Sequence, residues 1–443
     1  MKKTIPSNYK FDIPSKIDEI WYDGKFIIIS PETANWIVLE NREQLEFFNL
    51  LKKYNLERSL QIYSGDYDDA RLTVTQIVAK QFENKLLESC IKDDTKQLHL
   101  YLTNGCNLRC PHCYMFSGRK KDNELSLPEI KMIIEQFSLR GGKAITFSGG
   151  EITTHKDLKE IIDYANNHDL KIRLLTNGVL WPTELIDYVA SKIDSVQISV
   201  DGYSEASNSI IRGENNFNKS LQTIQRFISK KVATEIAITI PFGSVELDES
   251  EKYIEFCQNL LNLYPKELFK IKIAEQLIEG REVKLNEVQA EQYSQYVFKI
   301  KSRLNGCHFE LESFADAFRQ NQIMDNCMYG VFAIDAVGDV YFCSRVSSLK
   351  PIGNIREMTF DRIFSLSEKA QQLSRIDNFK PCSNCSLKYI CGGGCRIDYF
   401  PEFAEITDIE SVDMTKISAR QCTSKIKERF YRLMIESNKK LYR

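Results

Sequence analysis

From Leu98 onward, short apolar runs alternate with amphipathic stretches, and this alternation restricts the fold more than any other feature of the chain. The runs are LHLYLTNG, KAITFSGG, KIRLLTNG, SVQISVDG, TEIAITIP and LFKIKIAEQ, rich in β-branched residues and several closed by glycine. Between them, LPEIKMIIEQFSLR, HKDLKEIIDYANNHD and PTELIDYVASKI place apolar residues at helical spacing. Strand and helix in repeated succession predict a parallel sheet. Right-handed crossovers curl such a sheet into a barrel or partial barrel, so the fold class is α/β. Chemistry in such barrels gathers at the C-terminal ends of the strands.

Directly after the first run comes CNLRCPHCY, with Cys106, Cys110 and Cys113 at i, i+4 and i+7. Three thiolates leave one ligand position of a metal centre unfilled. A structural zinc ion completed by His112 is one reading, but adjacent His112 and Cys113 are poorly placed to face one ion. Three irons of a [4Fe–4S] cluster, with the fourth open, is the better one. The next strand ends in Gly149, Gly150 and Glu151, which bring close backbone approach and a carboxylate to the barrel mouth. Arg212 follows the fourth strand in SIIRG, so an anion and a cation flank the expected site. A zwitterion chelating the open iron would need both.

The chain has 13 cysteines in 443 residues, and they are unevenly spread. With no apolar core behind Lys2 and Lys3, no signal peptide is expected, and no apolar run approaches the roughly 18–20 residues of a membrane span. The expected location is therefore cytoplasmic, where thiols stay reduced and a disulfide framework is a poor reading. The net charge of −2 gives no sign of a nucleic-acid or membrane binder. Cys327 and Cys343 bracket Gly338, and Cys382, Cys385, Cys391 and Cys395 follow as CX2CX5CX3C with Gly392 to Gly394 inside, then Cys422. Zinc knuckles are the plain alternative. Cys90 and Cys257 fall in helical patterns and read as small buried residues.

These motifs resemble the radical S-adenosylmethionine (radical SAM) superfamily: CX3CX2C followed by Tyr114, then Gly149-Gly150-Glu151, over roughly residues 97–305. The resemblance implies a partial (β/α)6 barrel in which S-adenosylmethionine chelates the open iron and is cleaved to a 5′-deoxyadenosyl radical that takes hydrogen from substrate. It assigns Glu151 to the methionine ammonium and Ser199 with Arg212 to its carboxylate. Tyr114 and Asn177 are further expected cofactor contacts, beside Gly149 and Gly150. The tail resembles the SPASM extension of peptide-modifying members, which holds two auxiliary [4Fe–4S] clusters, making three in all. By that pattern Cys382, Cys385, Cys391 and Cys422 hold the distal cluster, and Cys327, Cys343 and Cys395 the nearer one. Its fourth ligand is expected from Cys307, or that iron is open to substrate.

The first ninety residues differ in texture. EIWYDGKFIIIS and ANWIVLEN read as a hairpin-rich sheet turning at YDGK, while REQLEFFNLLKKYN and VTQIVAKQFENKLLESC read as helices, a winged-helix-like order. Acidic and basic residues nearly balance here, which speaks against binding phosphate backbones. The segment resembles the leader-recognition elements of peptide maturases, which bind a leader as an added strand; a packing or dimerisation module is the alternative. The expected domains are then 1–92 for leader binding, 93–305 for the barrel and 306–443 for SPASM.

The implied function is maturation of a ribosomally made precursor peptide with an N-terminal leader, by a cross-link from Cys sulfur to carbon. An external donor of the flavodoxin or ferredoxin type supplies electrons. Carbon–carbon linkage is the close rival, and no feature excludes epimerisation. A sulfatase-type formylglycine maturase would carry aspartate after the ligand matching Cys343, where this chain has Ser344. A zinc-binding or peptide-binding scaffold without catalysis is the remaining alternative.

Overall fold

A computed structural model describes residues 5–84, 97–305, 327, 329–414, 417 and 422–438. The expected positions Cys90 and Cys307 lie outside them.

The chain begins with a three-stranded antiparallel meander, β1 (Asp18–Tyr22), β2 (Lys25–Ser30) and β3 (Asn35–Leu39). Asp23 and Gly24 form the first turn, both at positive φ (49° and 73°), as a two-residue hairpin loop between paired Tyr22 and Lys25 requires. Three helices follow: α1 (Arg42–Leu51), α2 (Leu56–Ile62) and α3 (Tyr67–Ala79). The last corrects the sequence reading, which started the helix at Val74 and carried it to Cys90. Asp66 caps it earlier, and Gln81 at φ 49° turns the chain away after it. The predicted sheet-then-helix order is present, with α2 added.

β2 and β3 are apolar on both faces, and both faces are covered. Phe26, Ile28, Ile37 and Leu39 pack with Phe47, Phe48 and Ile77 of the helices. Ile27, Ile29, Trp36 and Val38 instead pack with Leu387, Ile390, Met434 and Ile435 from the other end of the chain. Met434 and Ile435 belong to the C-terminal helix, Ser424–Asn438.

The six predicted strands form: β4 (Gln97–Tyr101), β5 (Ala144–Ser148), β6 (Lys171–Thr176), β7 (Ser195–Ser199), β8 (Ala233–Ile238) and β9 (Phe269–Ile273). They pair in sequence order, parallel throughout. The intervening helices are α4 (Leu127–Leu139), α5 (Leu158–Asn166), α6 (Thr183–Val189), α7 (Glu205–Arg212), α8 (Phe217–Ser229), α9 (Phe242–Glu246), α10 (Ser250–Leu263) and α11 (Glu287–Asn305). α4 starts with a Ser126–Glu129 capping box and buries Ile130, Ile133, Ile134 and Phe137, the 3–4 spacing seen in the sequence. Cys257 is buried in α10, as expected.

The sheet does not stop at residue 305. β10 (Ala333–Ile334) lies parallel to β4, and β11 (Asp339–Tyr341) and β12 (Gly353–Asn354) continue outward, giving nine strands in one sheet. The first strands of the cysteine-rich tail are thus bonded to the side of the barrel carrying Cys106. A further helix, α12 (Phe360–Leu373), packs Phe360 and Ile363 into the barrel core, and Leu366 and Ala370 into the core of the tail. Among the described residues no helix is long and apolar enough to cross a membrane.

Candidate functional site

The C-terminal ends of the barrel strands surround one cavity of about 290 Å³. Cys106, Cys110 and Cys113 line it, and so do Tyr114, Gly149, Gly150, Asn177, Ser199 and Arg212. Residues separated by about a hundred positions in sequence therefore share one small space.

The cysteine loop is fixed by backbone bonds. Cys106 N–H donates to Gly118 O (2.9 Å), and Gly150 and Glu151 N–H donate to Thr103 O (2.7 Å) and Gly105 O (2.8 Å). The glycine pair exists because of this contact. A Cβ on Gly150 would stand 2.3 Å from Gly105 O, and one on Gly149, at φ 156°, would stand 2.6 Å from Thr103 O. The close approach read from the sequence is thus between the end of β5 and the start of the cysteine loop. Burial pushes the Cys106 thiol up to about 11 and raises Cys110 too, so iron binding must displace protons.

Glu151 stands behind the glycines and is fully buried. Its Oε1 accepts from Thr176 Oγ1 (2.6 Å), Thr153 Oγ1 (2.8 Å) and Thr153 N (3.2 Å), while Oε2 accepts from Asn177 N (2.7 Å). The carboxylate thereby ties the end of β5 to the end of β6. Burial raises its pKa, and these hydrogen bonds oppose the rise. Oε2 retains lone-pair capacity for one more donor.

Arg212 is anchored by a residue that the sequence reading passed over as part of a strand end. Asp201 follows β7 in SVDG and is fully buried. Its Oδ2 accepts from Arg212 Nε at 2.6 Å and stands 3.3 Å from His112 Nε2, while Oδ1 accepts from Thr239 N at 2.8 Å. His112 therefore faces this carboxylate, and burial lowers its pKa. A carboxylate at the end of a barrel strand was the available signal.

The structure brings the tail cysteines together in two places. Cys382, Cys385, Cys391 and Cys422 line a second cavity of about 270 Å³ beside Ile376, Leu387 and Phe430. Gly392, Gly393 and Gly394 all take positive φ (64°, 72° and 68°), so the chain doubles back between Cys391 and Cys395. Buried Arg396, missed in the sequence, holds that turn by donating to Gly392 O (3.1 Å), Gly394 O (2.7 Å) and Ser374 O (2.6 Å). In the other group, Cys327 hydrogen-bonds to Cys395, and that bond lowers the Cys395 thiol. Arg396 N–H donates to Cys327 Sγ (3.3 Å), and Arg345 Nη1 reaches Cys395 Sγ (3.5 Å) while pairing with Asp398 (2.6 Å). Cys343 feels the charge of Cys395. Among the described residues, no three His, Cys, Asp or Glu side chains form a ready group for a single metal ion.

Tyr114 belongs to both regions. It hydrogen-bonds with Tyr101, whose hydroxyl donates to Ser344 O beside Cys343. Burial raises its pKa, the bond with Tyr101 opposes this, and Cys113 and Cys343 both add to it.

Family models match this architecture in two places: Radical SAM superfamily over residues 100–257, and SPASM, an iron-sulfur cluster-binding domain, over residues 326–386. The chain therefore carries a radical SAM domain followed by a SPASM segment. Among similar proteins, mycofactocin maturase MftC of Mycolicibacterium smegmatis is 28% identical over 311 residues, covering 68% of this chain and 77% of that protein. Sporulation killing factor maturation protein SkfB of Bacillus subtilis is 30% identical over 161 residues, covering 36% of this chain and 39% of that protein. The solved structure of native anSMEcpe with bound AdoMet aligns with a TM-score of 0.56 at 17% identity, covering 77% of this chain and 99% of that one. The donor sets fit the cofactors of this family. Three thiols open onto a cavity with an ion-paired arginine, and four more surround an apolar-lined cavity.

Proposed function

We propose that the chain matures a ribosomally synthesised precursor peptide by linking a Cys sulfur to carbon. The observation that carries this reading is the Tyr101 hydroxyl, which donates to Ser344 O and so ties the strand leading into the Cys106 loop to the residue after Cys343. The names of MftC, a mycofactocin maturase, and SkfB, a sporulation killing factor maturation protein, support a maturation role.

In this reading Cys106, Cys110 and Cys113 hold one [4Fe–4S] cluster, the two tail groups hold two more, and Cys307 completes the nearer of them. Arg212 and Ser199 take the carboxylate of S-adenosylmethionine, and Asp201 fixes the guanidinium plane in advance. Glu151 Oε2 takes the ammonium, and Asn177, Tyr114, Gly149 and Gly150 shape the rest of the pocket. When bound, the cofactors supply hydrogen-atom and electron acceptors: one C–H and one S–H bond are exchanged for a C–S bond, with one hydrogen leaving on the nucleoside fragment, one electron passing to an auxiliary cluster and one proton to solvent. Residues 1–92 bind the leader as an added strand, the barrel spans 93–305 and the SPASM segment 306–443. An external flavodoxin or ferredoxin closes the electron circuit.

The test is to incubate precursor with enzyme, S-adenosylmethionine and reductant anaerobically, alkylate the product and weigh it. Loss of two hydrogens together with one Cys that no longer alkylates is expected. Two hydrogens lost with every Cys alkylated would give carbon–carbon linkage instead, and an unchanged mass with solvent deuterium taken up would give epimerisation.

A further inference from the structure

The two edges of the N-terminal sheet are treated differently. In an antiparallel ladder, alternate residues turn their amide and carbonyl away from the neighbouring strand. On β3 the outward residues are Trp36 and Val38, followed by Glu40, and side-chain amides occupy them. Val38 N–H donates to Gln76 Oε1 (3.3 Å), and Val38 O accepts from Gln76 Nε2 and from Asn438 Nδ2 (3.3 Å). Trp36 N–H donates to Asn35 Oδ1 (2.8 Å) and Glu40 N–H to Gln44 Oε1 (2.9 Å). The C-terminal helix covers the same edge through Asn438. Such blunting removes an edge from strand pairing.

β1 carries no such cover. Tyr22 and Lys25 flank the two-residue turn and face each other across the ladder, so Ile20 and Asp18 also face β2, and Glu19 and Trp21 face outward. Among the described residues no other backbone group bonds to Glu19 or Trp21. Trp21 is 61% exposed, with its ring against Phe26 at 4.5 Å between centroids. Asp18 and Glu19 are exposed and form no ion pair among the described residues, while the nearby Lys16 and Lys25 are paired with Glu32 and Glu40.

We propose that a basic, extended segment of the peptide substrate adds to the free edge of β1, with lysine or arginine side chains beside Asp18 and Glu19 and an apolar one on Trp21. This rests on reading the N-terminal module as leader-binding and specifies its edge and the charge it selects. Main-chain bonds to Glu19 and Trp21 supply the affinity, and alternate side chains supply the choice of partner.

Because Glu19 and Trp21 share one face of the strand and Asp18 lies on the other, the probe is a fluorescein-labelled decapeptide repeating Lys-Lys-Val-Val, set against one repeating Glu-Glu-Val-Val, with full-length protein and anisotropy as readout. The basic probe is expected to bind at least tenfold more tightly. Glu19→Pro is expected to weaken it at least tenfold without lowering the melting temperature, because the amide of residue 19 faces away from β2 and proline is tolerated on such an edge. Equal binding of the two probes, or no binding by either, overturns the proposal, as does a dimer in sedimentation that Glu19→Pro dissolves. A benzophenone on the basic probe separates the remaining cases. Label within residues 18–23 supports the β1 edge. Label within residues 36–40 or on α3 overturns the edge but leaves the leader-binding reading intact. Label confined to the barrel overturns both.

Discussion

Asp201→Ala tests how the carboxylate side of the pocket is held. In the parent, Arg212 is a cation with a side chain one-tenth exposed, and its partner is Asp201 at 2.6 Å. Removing one member of a buried pair leaves the other charged and unpaired, at a cost of about 3–5 kcal/mol. Thr239 N–H loses its acceptor in the same step. At about 2–4 °C per kcal/mol for a unit of 150–250 residues, the melting temperature should fall by about 6–20 °C. Calorimetry under anaerobic conditions reads the fall, and equilibrium dialysis with S-adenosylmethionine should show at least tenfold weaker binding as Arg212 loses its fixed orientation. Replacing both partners, Asp201→Leu with Arg212→Met, should recover most of the stability but none of the binding, since neither charge then remains. A single variant that melts within about 2 °C of the parent would refute the buried-pair reasoning, and so would a double variant no more stable than the single.

Reconstituted protein should hold three clusters, roughly twelve irons per chain, and replacing Cys106, Cys110 and Cys113 together with alanine should remove a third of the iron and all S-adenosylmethionine cleavage. His99 on β4 is held neutral, lowered to about 4 by burial and secondarily by the Arg173 charge. The unfolded chain therefore takes up this proton first, and stability fully present above pH 6.5 drains as pH falls toward 4, by about 2 kcal/mol at pH 5. Urea unfolding of His99→Leu at pH 7 and pH 5 should lack that increment. Arg345→Gln removes a charged donor from Cys395 Sγ, so the nearer auxiliary cluster should titrate at a more negative potential, followed by its electron paramagnetic resonance signal.

The barrel was legible because each strand turns alternate apolar, often β-branched residues into the core, as in KIRLLT and ATEIAI, and four of the six runs ended in glycine. The cavity was legible for a related reason: Cys106, Gly149 and Asn177 follow strand ends, and Ser199 closes one. Asp201 escaped because an aspartate before glycine reads equally as a turn, and only the fold reveals Arg212 and His112 beside it. β10 and β12 have two residues each, too few to carry any periodicity. The second covered face of β2 and β3 was hidden because its partners, Leu387 and Met434, are hundreds of positions away. The sequence shows an apolar strand but not what covers it.

That remote cover has a consequence for how the protein is made. Val38 O waits for Asn438, 400 positions later. At roughly 5–20 residues per second, a ribosome needs about 20–80 seconds to cross that interval. Throughout it, Ile27, Ile29, Trp36 and Val38 present a bare apolar face. The same face later closes over Cys385 and Cys391, so its shielding comes only when residues 385–438 have emerged and can fold. Any fragment that stops before the C-terminal helix should emerge adhesive, however well its barrel is formed.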